Sequence, residues 1–371
     1  MDLVSTSNFH ATLLPGALAV LLIPPERVHA CSWALLTLLL YGGCSVVCRE
    51  GDTNVSASHI CRSKEAEVFS MVADKDGITL FVDPNGVKVF EFAKVLEDIH
   101  LAPQQWRAIQ IHLGPMVAEF PGVIRFLSQL LAEDNISILN MRCRDSTYDT
   151  DIIYVQECNL EKAIHCLQSK LSRGVHGLKE VKDEETSRRL SSEGSDSPSH
   201  LSSPSSLLPS PVSVAGSSSQ YLAVYPASMV LVRLKKDAIR DSAFGLTQLL
   251  MTTNAPGVAT TSRQHASAFW CYCETAEEIC LILDEECLSD FSESAVVVSP
   301  DRWRVITLCG RKYGFDETGI VAAMSGLDSV HTQVLNISSF GSNVTLVLED
   351  ALDEAVATLA ASLRLDRVER L

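Results

Sequence analysis

The chain repeats itself. Phe9–Leu22 resembles Tyr221–Val232, Ser32–Leu40 resembles Phe244–Leu250, Phe69–Asp83 resembles Trp270–Asp284, and Trp106–Ile111 resembles Trp303–Leu308. The order is kept and the spacing drifts little, which a duplicated architecture explains and chance does not. Whatever unit the first half builds, the second half builds again.

Each half divides once more. From Trp106 the pattern predicts a strand at 106–112, a helix at 117–132, strands at 136–142 and 151–156, a helix at 160–171 and a weak strand at 177–181. From Trp303 it predicts a strand at 303–308, a helix from Asp316, strands at 334–339 and 344–349, and a helix at 352–365. This is the β-α-β-β-α-β order of ferredoxin-like sandwiches. Val344, Leu346 and Leu348 alternate with other residues, as in a sheet with one buried face. Leu352, Val356, Leu359 and Leu363 fall on one helical face. The expected fold is therefore α+β, with four ferredoxin-like βαββαβ modules arranged as two tandem halves. Their bounds are 9–100 (with an insertion at 50–65), 104–181, 221–300 and 301–371. Between the halves, 182–220 is dense in Ser and Pro. It cannot bury enough apolar surface to offset ordering entropy, and is expected to be a disordered linker. Its Ser-Pro pairs suit either phosphorylation or a plain spacer.

Composition narrows the function. A formal net charge of −16 over 371 residues argues against nucleic acid or an anionic membrane as a partner. The 12 cysteines form no CxxC pair and no zinc spacing, and read as small buried hydrophobes in a reducing compartment. Two apolar N-terminal runs, 13–24 and 31–48, raise the question of a signal or membrane segment. The first lacks a basic leader. The second matches a plainly polar-flanked helix in the other half, so it reads as a buried helix and loop, and no membrane association is expected.

One stretch invites a ligand. Gly314-Phe315-Asp316-Glu317-Thr318-Gly319-Ile320-Val321 follows a strand and opens a helical pattern. Gly314 and Gly319 allow close backbone approach. Asp316 is a natural helix N-cap, and first-turn amides attract a carboxylate or phosphate. Glu317 adds a charge that suits an amino group, so an α-amino acid fits both. The same pattern also serves a plain capped helix with glycines for packing. Catalysis finds little support. There is no P-loop, dinucleotide fingerprint, HExxH or GxSxG. Asp316 and Glu317 diverge on a helix, His112 reads as a structural histidine, and Tyr148–Asp151 as a polar turn. No cofactor, metal or enzymatic activity is expected.

These residues resemble a known family. Regulatory ACT modules are β-α-β-β-α-β units that pair side by side and bind amino acids at the shared interface. A chain with four of them, carrying Gly314–Val321, Ile136–Leu139, Ser146–Asp151 and Ile337–Phe340, is similar to the CASTOR family of cytosolic arginine sensors, also called GATS-like proteins. Similarity covers most of the chain outside the Ser/Pro linker and the 50–65 loop, and the relationship is distant. The resemblance implies a cytoplasmic, non-catalytic sensor with a pocket between the second and fourth modules. Ser137 and Ile138 would line one side. Gly314, Phe315, Asp316, Glu317, Thr318, Gly319, Ile320 and Val321 would supply the other, closed by Ser339 and Phe340. The family aspartate that pairs with the ligand's cationic group corresponds to Asn343 here, which offers no ion pair; a family cysteine is replaced by Thr318. The ligand is then a free amino acid, arginine or another. By analogy the partner is a regulatory complex of the TOR nutrient pathway, with a homodimer left open. The alternative function is an ACT-type regulatory subunit of an amino-acid biosynthetic enzyme.

Overall fold

The computed structural model describes residues 10–41, 66–114, 122–144, 149–171, 173–177, 219–253 and 269–371. Its strands fall into two sheets among those residues, one of thirteen strands and one of five. The 50–65 insertion and nearly all of the 182–220 linker lie outside them.

The first segment runs β2 (Ala19–Ile23), α1 (Val28–Tyr41), β3 (Phe69–Asp74), β4 (Gly77–Val82), α2 (Pro84–Phe92) and β5 (His100–Leu101). Asp83 caps α2 by accepting the Gly86 amide at 2.8 Å, with Pro84 in the first turn. The second segment runs β6 (Trp106–Gly114), α3 (Val123–Glu133), β7 (Ile138–Arg144), β8 (Asp149–Gln156), α4 (Leu160–Gln168) and β9 (Val175–His176). The third runs β11 (Met229–Leu234), α5 (Ala243–Thr252), β12 (Trp270–Glu274), β13 (Ile279–Asp284) and β14 (Val296–Val298), with a 3-10 turn at Glu285–Asp290 where a second helix was expected. The fourth runs β15 (Trp303–Cys309), α6 (Ile320–Met324), β16 (Val334–Ser339), β17 (Ser342–Leu348), α7 (Leu352–Leu363) and β18 (Val368–Arg370).

The segment bounds differ from the sequence reading in one respect. The opening strand of each half pairs with strands of the other segment of that half. β1 (His10–Leu13) lies between β6 and β9, not with residues 19–101. β10 (Tyr221–Val224) lies likewise between β15 and β18. These pairings span a hundred residues or so in sequence and leave no local signal.

The first and third segments fuse. β3 and β12 pair antiparallel from Trp270↔Ala73 to Glu274↔Phe69, making one continuous sheet. Helices α1, α2 and α5 cover its outer face over Leu35, Leu38, Phe69, Phe90, Leu249 and Trp270. This packs 31–40 of the second apolar run against a protein core, and no helix among the described residues is long and apolar enough to cross a membrane. The inner faces of the two sheets pack on each other through Val72, Phe81, Trp106, Tyr154, Trp303 and Leu346. Phe81 stacks on Tyr154 at 4.2 Å, and the Tyr154 hydroxyl meets Ser70. Because both faces are covered, β17 is buried on both: Val344 and Leu346 face the other sheet, while Asn343, Thr345 and Val347 face the helices. The one-faced burial expected from its alternation does not hold.

Candidate functional site

β7 of the second segment and β16 of the fourth run beside each other at the rims of the two sheets. No backbone ladder joins them among the described residues. Side chains do the joining: the Asn140 amide N–H donates to Ser338 Oγ at 3.0 Å, and Asn140 Nδ2 donates to the Asn336 carbonyl at 2.9 Å. Polar side chains that take up backbone groups in this way compete with strand pairing.

The loop 310–319 folds over one end of this seam. Gly319 has φ +83°, a left-handed conformation that glycine adopts freely, and α6 starts only after it. The helix expected from Asp316 is therefore shorter, and Asp316 lies exposed in a turn instead of capping it. Gly314 is close to that turn: a Cβ there would sit 2.6 Å from Asp316 Oδ1. Glu317 Oε1 accepts the Gly314 amide at 2.8 Å while its other oxygen pairs with Arg311. The amide and the carboxylate assigned to a ligand by sequence thus hold each other. The second segment grips the same loop. Ser137 Oγ donates to the Glu317 carbonyl at 2.9 Å, and Gln156 Nε2 donates to the Phe315 carbonyl at 3.3 Å. Phe315 packs edge-on against Trp106 and Phe340, with centroids 5.4 and 4.5 Å away.

A small cavity lies under the loop. Of the residues named from sequence, Ser137, Ile138, Gly314, Phe315, Glu317, Ile320, Val321, Ser339 and Asn343 line it; Asp316, Thr318, Gly319 and Phe340 do not. Leu139, Tyr313, Ser338, Gly341 and Ser342 also line it and were missed. Its free space is about 20 Å³, on the scale of one water molecule and far below a formed small-molecule pocket. Seating an amino acid requires its walls to part.

The wall at 339–341 is braced from the first segment. The Ser339 hydroxyl donates to Asp74 Oδ2 at 2.5 Å, and the Phe340 amide donates to Thr79 Oγ1 at 2.8 Å. Asp76 pairs with Lys312 at 3.3 Å. Burial pushes the Asp74 carboxyl up to about 6, against the opposing pull of the Ser339 bond. Outside the seam, His112 stacks on His10 at 4.3 Å, its Nε2 lies 3.1 Å from Thr12 Oγ1, and burial holds it down at about 4. That is the structural role read for it. Residues 149–151, read as part of a turn, belong to β8, and Asp151 is fully buried. No group of side chains that could hold a metal occurs among the described residues.

The ACT domain model matches residues 101–169 and 298–361. These two stretches contain the two walls of the cavity. The cytosolic arginine sensor for mTORC1 subunit 1 of Homo sapiens is 26% identical over 315 residues, which span 80% of this chain and 87% of that protein. The protein of the same name in Mus musculus is 26% identical over 310 residues, 79% of this chain and 84% of its own. Among solved structures, the aspartate kinase of Synechocystis aligns with 97% of this chain and 56% of its own length, at 11% identity and a TM-score of 0.29. A likeness that slight carries no argument.

Proposed function

We propose that this chain, a distant relative of the CASTOR family of cytosolic arginine sensors, is itself a non-catalytic sensor of a free amino acid. One observation carries the reading. The two stretches that match the ACT domain meet along β7 and β16 without a ladder, and a cavity lined from both lies at that seam. We read the chain as four ACT modules in two halves, with the ligand between the second and the fourth. Arginine is the first candidate, because the relatives are named for it. The residues proposed to meet it are Ser137, Ile138, Gly314, Phe315, Glu317, Ile320, Val321, Ser339 and Asn343, with Asp316, Thr318, Gly319 and Phe340 shaping the loop and wall around them. Binding must part the seam, so the ligand favours an arrangement of the two sheets that the empty seam does not. A protein partner that distinguishes those arrangements would read the ligand. By the relatives' names, that partner belongs to the mTORC1 pathway and the compartment is the cytosol.

Thermal unfolding of the full chain with each of the twenty amino acids tests this. The proposal expects at least one, arginine first, to raise the midpoint in a concentration-dependent manner by mass action. No shift with any of them overturns it. Co-purification of an amino-acid biosynthetic enzyme, with the shift transmitted to that enzyme's activity, would replace the sensor reading by the regulatory-subunit one.

A further inference from the structure

The polar side chains behind the cavity form a chain whose direction can be read. Thr345 Oγ1 lies 2.8 Å from the Met324 carbonyl, which can only accept, so the threonine hydroxyl donates there. Its oxygen is left to accept, and Asn336 Nδ2 faces it at 3.4 Å. That sets the Asn336 amide. Asn336 and Asn343 then bond reciprocally, Nδ2 to Oδ1, at 2.7 and 2.9 Å. The second hydrogen of Asn343 Nδ2 goes to Ser338 Oγ at 3.1 Å. The same oxygen takes the Asn140 amide N–H from across the seam at 3.0 Å. A serine oxygen has two acceptor lone pairs and one proton. Both lone pairs are occupied, so Ser338 can only donate. Asn140 Oδ1 is fully buried and has no partner, so it is not the group that receives this proton. Ser338 lines the cavity, and Asn343 beside it has spent both of its hydrogens.

We propose that Ser338 is a specificity-determining donor that takes a carboxylate oxygen of the ligand, so that the amino acid lies with its carboxylate against β16 and β17. The inference rests on the amino-acid reading above. An ammonium or guanidinium has only donors to offer and meets a donor on this wall. A carboxylate accepts, and the bond is charge-assisted. Nothing local marked Ser338: in Ile337-Ser338-Ser339 it reads as one of two equivalent serines, and only the hydrogen-bond chain tells them apart.

Isothermal titration of the wild type, Ser338→Ala and Asn343→Asp with arginine, lysine and the best-shifting amino acid of the thermal screen tests this. Ser338→Ala is expected to weaken binding at least tenfold. Asn343→Asp turns the wall from donor to acceptor and is expected to weaken every amino acid at least tenfold, the basic ones included. Affinity within twofold of wild type for Ser338→Ala, or tighter binding of arginine or lysine by Asn343→Asp, overturns the proposal. Should Ser338→Ala lose its cooperative unfolding transition, Thr345→Val decides. It lies outside the cavity, frees Asn336 to turn, and is expected to cost at least threefold in affinity; wild-type affinity there overturns the proposal. A wild type that binds no amino acid overturns the functional reading and this inference with it, whereas a binding wild type with an indifferent Ser338→Ala overturns this inference alone.

Discussion

Two seams in the molecule are built from the same kind of strand. β3 and β12 each follow the first helix of their segment, and so do β7 and β16. The first two pair through backbone from Trp270↔Ala73 to Glu274↔Phe69 and close completely. The second two are held by Asn140 reaching across to Ser338 and Asn336, with a cavity at one end. Side chains explain the difference. On the helix side the closed seam presents Phe69, Met71, Trp270 and Tyr272, whose burial rewards close approach. On the same side the open seam presents Asn140, Asn336 and Ser338, joined by hydrogen bonds from Asn140. A pair of like units thus gives a closed joint or a ladder-free seam with a small cavity, depending on what lines the edge strands.

The comparison can be broken most severely at the closed seam. Val72 lies in β3, flanked by β4 and β12. Val72→Pro removes a ladder hydrogen bond in the middle of the joined sheet, and its effect should read as lost or sharply lowered cooperative unfolding. Proline at Asn140, whose N–H points to a side chain, should cost less. Equal losses would mean that the two seams are energetically alike.

Asp74 links the seams, since it ends β3 and receives Ser339 from the cavity wall. Burial raises its carboxyl from the ordinary 3.8 to about 6, so the folded chain keeps that proton longer than the unfolded one. The stability this contributes is complete below the unfolded value and is lost as pH rises through about 6. The shift corresponds to about 3 kcal/mol. In urea unfolding, wild type should lose about 2 kcal/mol of this relative to Asp74→Asn between pH 4, just above the unfolded value, and pH 7. A difference that does not vary with pH would place the charge elsewhere. Asn343→Asp should act next most strongly. It removes the two donors that serve Asn336 and Ser338 and leaves buried groups unmatched, at about 1–3 kcal/mol by thermal unfolding.

Much of this architecture was legible locally. The duplicated apolar runs gave the strand and helix order of each segment, and β16 falls where its pattern puts it, because strand propensity and punctuation are properties of neighbours in sequence. What escaped is non-local. β1 and β10 look like the openings of their own segments and pair instead with strands of the segment that follows. The 3-10 turn at Glu285–Asp290 takes the place of a helix in a stretch too polar to supply a helix's buried face. At the site, the Gly314 loop stood out because glycine punctuation marks a turn, and Ser137 was named only through the family resemblance. Ser338, Tyr313 and Asp74 were not. A polar residue in a strand reads as a solvent face until a second sheet covers it, and Asp74 approaches from a hairpin more than 260 residues away in sequence.

The smallest predicted effect concerns the loops above the seams, which differ as the seams do. The connections leaving β2 and β11 at the closed seam, 24–27 and 235–242, contain no glycine, whereas the one leaving β15 contains Gly310, Gly314 and Gly319. Gly319 holds φ +83° with nothing within 4 Å of where a Cβ would stand. Crowding therefore does not oppose a side chain there; only the left-handed backbone does. Gly319→Ala should lower stability by about 1–2 kcal/mol, and Gly319→Asn by less, because asparagine tolerates that region. If the glycine serves only the turn, ligand affinity should follow the same order, with Asn close to wild type. If the ligand needs the bare backbone, both variants should lose affinity alike while their unfolding midpoints differ. Titration and thermal unfolding on the same two proteins separate a loop shaped for folding from one shaped for approach.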